Sequence, residues 1–114
     1  MISIKGIEQD MIANNLAPSE PIHPGELIKD ELISRGISQR HLATEMGVSY
    51  SVMNEILNCK RPVTTEYALL FEAALNIDAD IWLKTQADYN LQMARRDAKL
   101  MQKLADIRKI AAVL

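Results

Sequence analysis

Five polar side chains between residues 50 and 58 have the chemistry needed to read a nucleic acid. At helical spacing they share one face, and each can form hydrogen bonds at a base edge or a phosphate. They are Tyr50, Ser51, Asn54, Glu55 and Asn58. Ser49 stands directly before this face, and Lys60 and Arg61 follow it with the positive charge that phosphate contacts need. The pattern predicts a DNA-binding surface on a short helix.

Glu55 carries the one negative charge of this face. It either repels phosphate, which selects against wrong registers, or accepts a hydrogen bond from a cytosine amine. The sequence favours neither role over the other.

A second helix must pack against this one, because the preceding residues have the pattern of a helix-turn-helix. Ser38 and Ser49 are suitable N-caps, since a serine hydroxyl accepts a hydrogen bond from a first-turn N–H. Gly47 suits a left-handed turn between the helices, and Ala43 leaves room for a close crossing. The positions predicted to face the core are Leu42, Met46, Val48, Met53, Ile56 and Leu57. A bare helical hairpin is the alternative, but it would not require all these steric roles together.

Caps divide the rest of the chain into further helices. The first is predicted to begin at Pro24, because proline suits position N1. Thr64 and Asp78 are predicted to cap the fourth and fifth helices. Nothing later obliges the fifth helix to stop, although Asn90 or Asp97 would permit one break.

The sequence thus predicts an all-α fold with five helices. We expect an N-terminal arm and linker over residues 1–21 and a helix-turn-helix domain over residues 22–77. Residues 78–114 are expected to form a C-terminal helical extension for dimerisation or partner binding.

The extension carries an apolar seam of its own. Five residues follow one another at spacings of four, three, four and three, which is an a/d pattern over two heptads. They are Leu100, Leu104, Ile107, Ala111 and Leu114. Two heptads are short for a coiled coil, so packing on the chain's own core and contact with a second copy or a partner both stay open.

The charge is unevenly distributed along the 114 residues, whose formal net charge is −2. Residues 32–61 hold four basic and two acidic side chains, whereas residues 1–31 hold six acidic and two basic ones. Phosphate binding depends on such local charge. Because the basic face is small, we expect a dimer that combines two of them.

The composition argues against several other classes of protein. Cys59 is the single cysteine, which precludes an internal disulfide and fits a reducing compartment. His23 and His41 lack metal-ligand spacing to each other or to Cys59, so we predict no metal site. The early residues lack a signal-peptide layout and no apolar run approaches about 18 residues, so we expect a cytoplasmic protein without membrane contact.

Several motifs together resemble the HigA-type antitoxins, a branch of the Cro/repressor class of helix-turn-helix proteins. The resemblance rests on residues 22–28, which read IHPGELI, on the helix-turn-helix continued through residues 58–64, and on residues 80–91 with their Trp-Leu and Gln block. One departure is Cys59, where the family usually has glycine. The resemblance covers roughly residues 20–95.

The resemblance implies a function and further site residues. Such proteins bind their own operator as dimers and neutralise a HigB-type toxin, a ribosome-dependent mRNA endonuclease. It implies no catalytic activity and no cofactor, and it implies that Gln39 bonds a phosphate from the start of the second helix. Two alternatives stay open: a repressor without a toxin partner, and a partner-binding protein that has lost DNA binding.

We expect the toxin contact on the acidic N-terminal side of the chain. A nuclease that binds RNA carries a basic surface, so Glu26 and Asp30 are candidates to face it. Ile7, Met11 and Leu16 would supply the apolar anchor. The alternative is that residues 1–17 are a solvated tail.

Overall fold

Residues 20–113 are described by a computed structural model, and within that range the chain forms six α-helices and no strand. The helices are α1 (Pro24–Arg35), α2 (Gln39–Met46), α3 (Tyr50–Leu57), α4 (Thr65–Leu75), α5 (Ala79–Ala94) and α6 (Ala98–Ala111). The all-α prediction is confirmed. No helix of this part of the chain is long and apolar enough to cross a membrane.

The predicted count of five helices is exceeded by one, because the fifth helix stops before Asp97. The Asp97 carboxylate accepts hydrogen bonds from the backbone N–H groups of Lys99 and Leu100, at 3.0 and 3.2 Å. Such a side chain satisfies N–H groups that have no partner within a new helix. Asp97 therefore begins α6 as a separate helix, at one of the two positions where the sequence permitted a break.

The core is formed by α1 to α5 and the connections between them. Its buried members are Ile28, Leu32, Leu42, Ala43, Met46, Met53, Ile56, Leu57, Val63, Ala68, Phe71, Leu75, Ala79 and Trp82. Trp82 is packed edge-on against Phe71, with ring centroids 6.5 Å apart. Every predicted core position of the helix-turn-helix is buried except Val48, which is partly buried against the core. Trp82 of α5 belongs to the same core as the helices before it. The predicted boundary at residue 78 therefore remains a proposal about a difference in function between the two parts of the chain.

The helix-turn-helix is built by the predicted caps. The Ser38 hydroxyl accepts from the His41 N–H at 3.0 Å, and the Ser49 hydroxyl accepts from the Val52 N–H at 3.1 Å. Gly47 between them is left-handed, with φ of 68°. This conformation is cheapest for glycine, so the turn between α2 and α3 is fixed locally.

The start of helix α1 combines a side-chain cap, a proline in the first turn and a close crossing with α3. His23 caps it, because the ring Nδ1 accepts from the Gly25 N–H at 2.8 Å. Pro24 occupies the first turn, as predicted. A β-carbon on Gly25 would overlap the carbonyl oxygen of Ile56, so the first turn of α1 rests directly on the backbone of α3. The sequence indicated neither the histidine cap nor this crossing.

The predicted cap of α5 is replaced by a side chain from α4. Asp78 stands at the N-cap position, but its side chain makes no capping hydrogen bond. Instead the Glu72 carboxylate accepts from the Ala79 N–H at 2.8 Å. This bond ties the start of α5 to α4, which a local sequence pattern does not reveal.

Candidate nucleic-acid interface

Helix α3 divides its surface between the core and solvent. Met53, Ile56 and Leu57 are buried, whereas Tyr50 and Ser51 are exposed and Asn54 is partly exposed. The Ser49 hydroxyl is engaged in capping α3, so any DNA contact from this residue must share that oxygen or use the backbone. The structure thus presents a polar face of α3 to solvent. Contact of its residues with DNA stays a prediction.

Asn54 and Asn58 are joined into one unit at the end of this face. The Asn58 side-chain nitrogen donates to the backbone carbonyl of Asn54 at 2.9 Å and to its side-chain oxygen at 3.1 Å. Lys29 of α1 lies 3.5 Å from the Asn58 side-chain oxygen. Because Asn58 is occupied by these contacts, Asn54 is the better placed of the two amides to donate to a base.

Glu55 and Arg61 form an ion pair across the end of α3. Arg61 donates from Nε and from Nη2 to the same carboxylate oxygen, at 2.9 and 2.6 Å. The hydrogen bonds and charge of Glu55 raise the pKa of Arg61 further above its ordinary value, and Tyr67 also contributes a hydrogen bond. The sequence pattern does not indicate that these two residues pair. Their pairing offsets the positive charge that Arg61 offers to a phosphate, and it holds the guanidinium in one place.

Arg40 belongs to the same face, although it was absent from the predicted site. Its guanidinium carbon lies 4.3 Å from the centroid of the Tyr50 ring, in a cation–π contact. Arg40 is the second residue of α2 and Tyr50 the first of α3, so the contact bridges the two helices. Its basic character near the start of α2 was the available signal, but the stacking partner depends on the turn geometry.

Gln39 precedes the polar face of α3 along the chain, and Lys60 follows it. Gln39 begins α2 and is partly buried, and its side-chain oxygen is buried without a hydrogen-bond partner within residues 20–113. Its amide nitrogen is therefore the group that would donate to a phosphate. Lys60 is exposed in the connection after α3.

The connection after α3 turns through a left-handed cysteine. Cys59 has φ of 65°. Its N–H donates to the Ile56 carbonyl at 3.1 Å, and the Lys60 N–H donates to the Glu55 carbonyl at 2.8 Å, which is a Schellman arrangement. Burial raises the pKa of the Cys59 thiol. The loop thus takes the path that favours glycine, although it has no glycine.

Helix α5 holds the far end of this connection. The Gln86 side-chain oxygen accepts from the Val63 N–H at 2.8 Å, and the Gln86 nitrogen donates to Asn90 at 2.9 Å. The His23 ring meets Tyr89 edge-on, with centroids 4.9 Å apart. The loop carrying Lys60 and Arg61 is therefore fixed by α5 as well as by α3.

His23 connects α1 to the same loop. Its Nδ1 is the capping acceptor, and a further hydrogen bond joins the ring to the backbone of Arg61. Burial lowers the pKa of His23, against the smaller opposing effects of Glu26 and of that backbone bond. The neutral ring fits the site, because a proton on Nδ1 would abolish the cap.

Two of the five residues predicted to contact a toxin lie within the part of the chain that the structure describes. Glu26 and Asp30 are exposed on α1. Ile7, Met11 and Leu16 lie outside the described residues. The toxin contact is therefore untested at all five positions.

Two capped helices joined by a left-handed turn, with a polar face on the second, define a helix-turn-helix protein. No family model matches the chain. The chain is 39% identical over 77 residues to virulence-associated protein I of Dichelobacter nodosus, a match that covers 67% of this chain and 71% of that relative.

Two solved structures resemble the chain over most of their own length. An addiction module antidote protein of a HigA family from Coxiella burnetii is 30% identical, with a TM-score of 0.66, and the match covers 74% of this chain and 94% of that one. The Pseudomonas aeruginosa antitoxin HigA, solved with the higBA promoter, is 30% identical over the same shares, with a TM-score of 0.68. The chain belongs to the HigA family of antitoxins.

Proposed function

We propose that this antitoxin binds operator DNA as a dimer, represses its own operon and neutralises a HigB-type mRNA-cleaving toxin. The observation that carries the DNA-binding part is the solvent-facing polar surface of α3, with Arg40 of α2 packed against its first residue and the exposed Lys60 following its last turn. The Pseudomonas aeruginosa relative solved with its promoter supports the same use of this fold.

Each group of the face has its own task in this proposal. Tyr50, Ser51 and Asn54 face the major groove and contact base edges, where an asparagine amide can pair with adenine. Lys60 and Arg61 contact phosphates, which fix the register without reading sequence. Gln39 and Arg40 add phosphate contacts from α2, and Arg40 keeps Tyr50 in place through the ring contact at 4.3 Å.

The dimer follows from the size of this face. Few cations serve each copy, and the phosphate contribution to affinity grows with the number of cations engaged. Two copies bound to half-sites about 34–36 Å apart would double that number. We place the dimer contact in residues after Ile77.

Operator binding is tested by titrating the DNA upstream of the gene in a mobility-shift assay at two salt concentrations. Asn54→Ala should cost about 1–3 kcal/mol on the operator and little on scrambled DNA, because it removes a base contact. Ser34→Ala, an exposed change on α1, is the matched control. Full operator affinity in both Asn54→Ala and Arg61→Ala would show that α3 does not read the DNA.

Sedimentation of the full chain tests the dimer. We expect twice the mass of the 12.8 kDa chain at micromolar concentration. A single species of monomer mass would refute this part of the proposal.

Toxin neutralisation is tested with the product of a gene adjacent to this one, provided that it encodes a small basic protein. The full chain should suppress its cleavage of mRNA on ribosomes. Reversing charge in Glu26→Lys and Asp30→Lys, or deleting residues 1–17, should weaken suppression and its salt dependence while operator binding persists. Unchanged suppression by all three would exclude this contact, and no suppression by the full chain would leave a repressor without a toxin partner.

A further inference from the structure

Three side chains form a chain of hydrogen bonds at the end of the polar face of α3. The Lys29 Nζ donates to the Asn58 side-chain oxygen at 3.5 Å, and the Asn58 side-chain nitrogen donates to the Asn54 side-chain oxygen at 3.1 Å. The chain begins on α1 and ends at Asn54, the residue to which the proposed function assigns a base contact. In each amide the nitrogen can only donate and the oxygen can only accept, so the chain has a direction.

The orientation of the Asn58 amide is fixed by two neighbours that have one possible role each. An ammonium group can only donate, so the atom that faces Lys29 must be the Asn58 oxygen. A backbone carbonyl can only accept, so the atom that lies 2.9 Å from the Asn54 carbonyl must be the Asn58 nitrogen. Exchanging the two atoms would set donor against donor and acceptor against acceptor. Asn58 therefore has one stable orientation.

The orientation of Asn58 determines that of Asn54. The Asn58 nitrogen faces the Asn54 side chain at 3.1 Å, so the atom that receives this hydrogen bond must be the Asn54 oxygen. The Asn54 side-chain nitrogen is then directed away from Asn58. It donates to no residue between positions 20 and 113, and it is not among the buried polar atoms that lack a partner, so it reaches solvent. The free group of Asn54 is thus a hydrogen-bond donor.

The close crossing of α1 and α3 brings Lys29 to the start of this chain. Gly25 rests on the backbone carbonyl of Ile56, and Lys29 follows Gly25 by one helical turn on the same face of α1. Asn58 is the C-cap residue of α3, two positions after Ile56. The orientation of the two amides therefore depends on the contact between two helices and not on α3 alone.

We propose that Asn58 is a positioning residue for base recognition, which makes Asn54 present its amide nitrogen to DNA. In the major groove this donor is satisfied by N7 of a purine, O6 of guanine or O4 of thymine, whereas cytosine presents the N4 donor. Asn54 therefore selects against cytosine on the strand that it contacts. Pairing with adenine is retained, because the Asn54 oxygen has a second lone pair. The inference rests on the proposed DNA-binding function and names the base edge that Asn54 reads.

Selection of bound sequences from operator duplexes with randomised positions, by the full chain and its variants, tests this role. The position that Asn54 reads is the one whose base preference disappears in Asn54→Ala. There the unaltered chain should bind guanine about tenfold more tightly than cytosine, because a donor that meets the cytosine amine loses its hydrogen bond in the complex. Asn58→Ala should reduce this ratio, since the Asn54 amide is then free to turn over.

Asn58→Asp should reverse the preference. A carboxylate can only accept, so the Asn54 nitrogen turns to donate to it and the Asn54 oxygen faces the DNA. The ratio of guanine to cytosine binding should then invert, because this oxygen accepts from the cytosine amine. Lys60→Gln lowers the net charge by the same amount at an exposed site, and it should weaken binding to all sequences without changing the ratio. Thermal unfolding checks that each variant is folded, and Asn58→Ala decides the question if Asn58→Asp is not.

Two results would overturn the positioning role. One is a guanine-to-cytosine ratio that folded Asn58→Ala and Asn58→Asp leave as it is in the unaltered chain, which would make Asn58 a helix cap and nothing more. The other is a preference of the unaltered chain for cytosine at the position that Asn54 reads. If Asn54→Ala alters no position, base reading by Asn54 fails as part of the proposed function, and this inference fails with it. If Asn54→Ala removes a preference that the Asn58 variants keep, only the positioning role is wrong.

Discussion

Arg61 donates two hydrogen bonds to a single carboxylate oxygen of Glu55, at 2.9 and 2.6 Å, and so ties the loop after α3 to that helix. The pair converts two opposite charges on the candidate interface into one neutral unit. Each partner therefore influences what the other offers to DNA.

Replacing Glu55 with glutamine should strengthen DNA binding. The change frees the positive charge of Arg61, so we expect about tenfold tighter binding to every sequence and a salt slope steeper by about one. Glu45→Gln, which removes the same charge from α2, is the control. Fluorescence anisotropy against salt measures both effects. A loss of affinity confined to operators with one particular base pair would instead assign Glu55 to a cytosine amine.

The contact between Arg40 and Tyr50 should make their substitutions non-additive. Arg40→Ala and Tyr50→Ala should each weaken operator binding, and the double variant should lose less than the sum, by about 0.5–1 kcal/mol. Tyr50→Phe keeps the ring and serves as the control, because it preserves the cation–π contact. Strict additivity in a double-mutant cycle would mean that Arg40 acts independently of the ring.

A methyl group at Gly25 should displace α3 through direct contact with its backbone. Its β-carbon would overlap the Ile56 carbonyl, so α1 and α3 must separate. We expect Gly25→Ala to lower the free energy of unfolding by about 1–3 kcal/mol and to reduce operator affinity. Urea unfolding and anisotropy measure the two losses, and Ser34→Ala on the same helix should cause neither. Wild-type stability in Gly25→Ala would contradict the close crossing.

Glycine at position 59 should stabilise the chain. A left-handed residue with a β-carbon costs about 1 kcal/mol or more, and Cys59 has φ of 65°. Cys59→Gly removes that cost, so the free energy of unfolding should rise by up to about 1 kcal/mol. Gly36→Ala makes the reverse change at φ of 69°, where the new β-carbon meets no atom within 4 Å, and should lower stability. Changes of the same sign in both variants would reject the argument.

His23 should make stability depend on pH. Burial lowers its pKa in the folded chain, so the unfolded chain takes up a proton first as the pH falls. Stability should hold above the unfolded pKa of about 6.5 and decline below it, until the folded ring is protonated too. His23→Asn keeps a capping side chain and should flatten this decline. His41→Asn, at an exposed site, should leave it in place; thermal unfolding between pH 5 and 8 distinguishes the two.

Local patterns were sufficient to predict the helix-turn-helix. Ser38, Gly47 and Ser49 act within a few residues of themselves, so their roles can be read from the chain alone. The Gly25 crossing and the Glu55–Arg61 pair depend on how distant elements meet. In the second case the pairing also needs the left-handed turn at Cys59, a residue type that rarely marks one.

The sequence predicts some of the helix ends and not others. Asp97 was recognised as one of two break positions, but the choice between it and Asn90 depended on which side chain reaches a free N–H. Asp78 fits the pattern of a cap, yet Glu72 from the neighbouring helix supplies that bond. The sequence does not indicate the His23 cap, because histidine is seldom an N-cap and its buried setting is created by α5.

The hydrogen bond from the Val63 N–H to the Gln86 side chain anchors the far end of the loop after α3. One end of the loop is fixed by the last turn of α3 and the other by α5, so we expect residues 58–63 not to accommodate an extra residue. Insertions or deletions in this stretch should therefore be absent among functional relatives, even though the loop lies at the surface. The number of residues between Asn58 and Val63 thus determines how far Lys60 and Arg61 can extend from the surface, independently of the other residues in the loop.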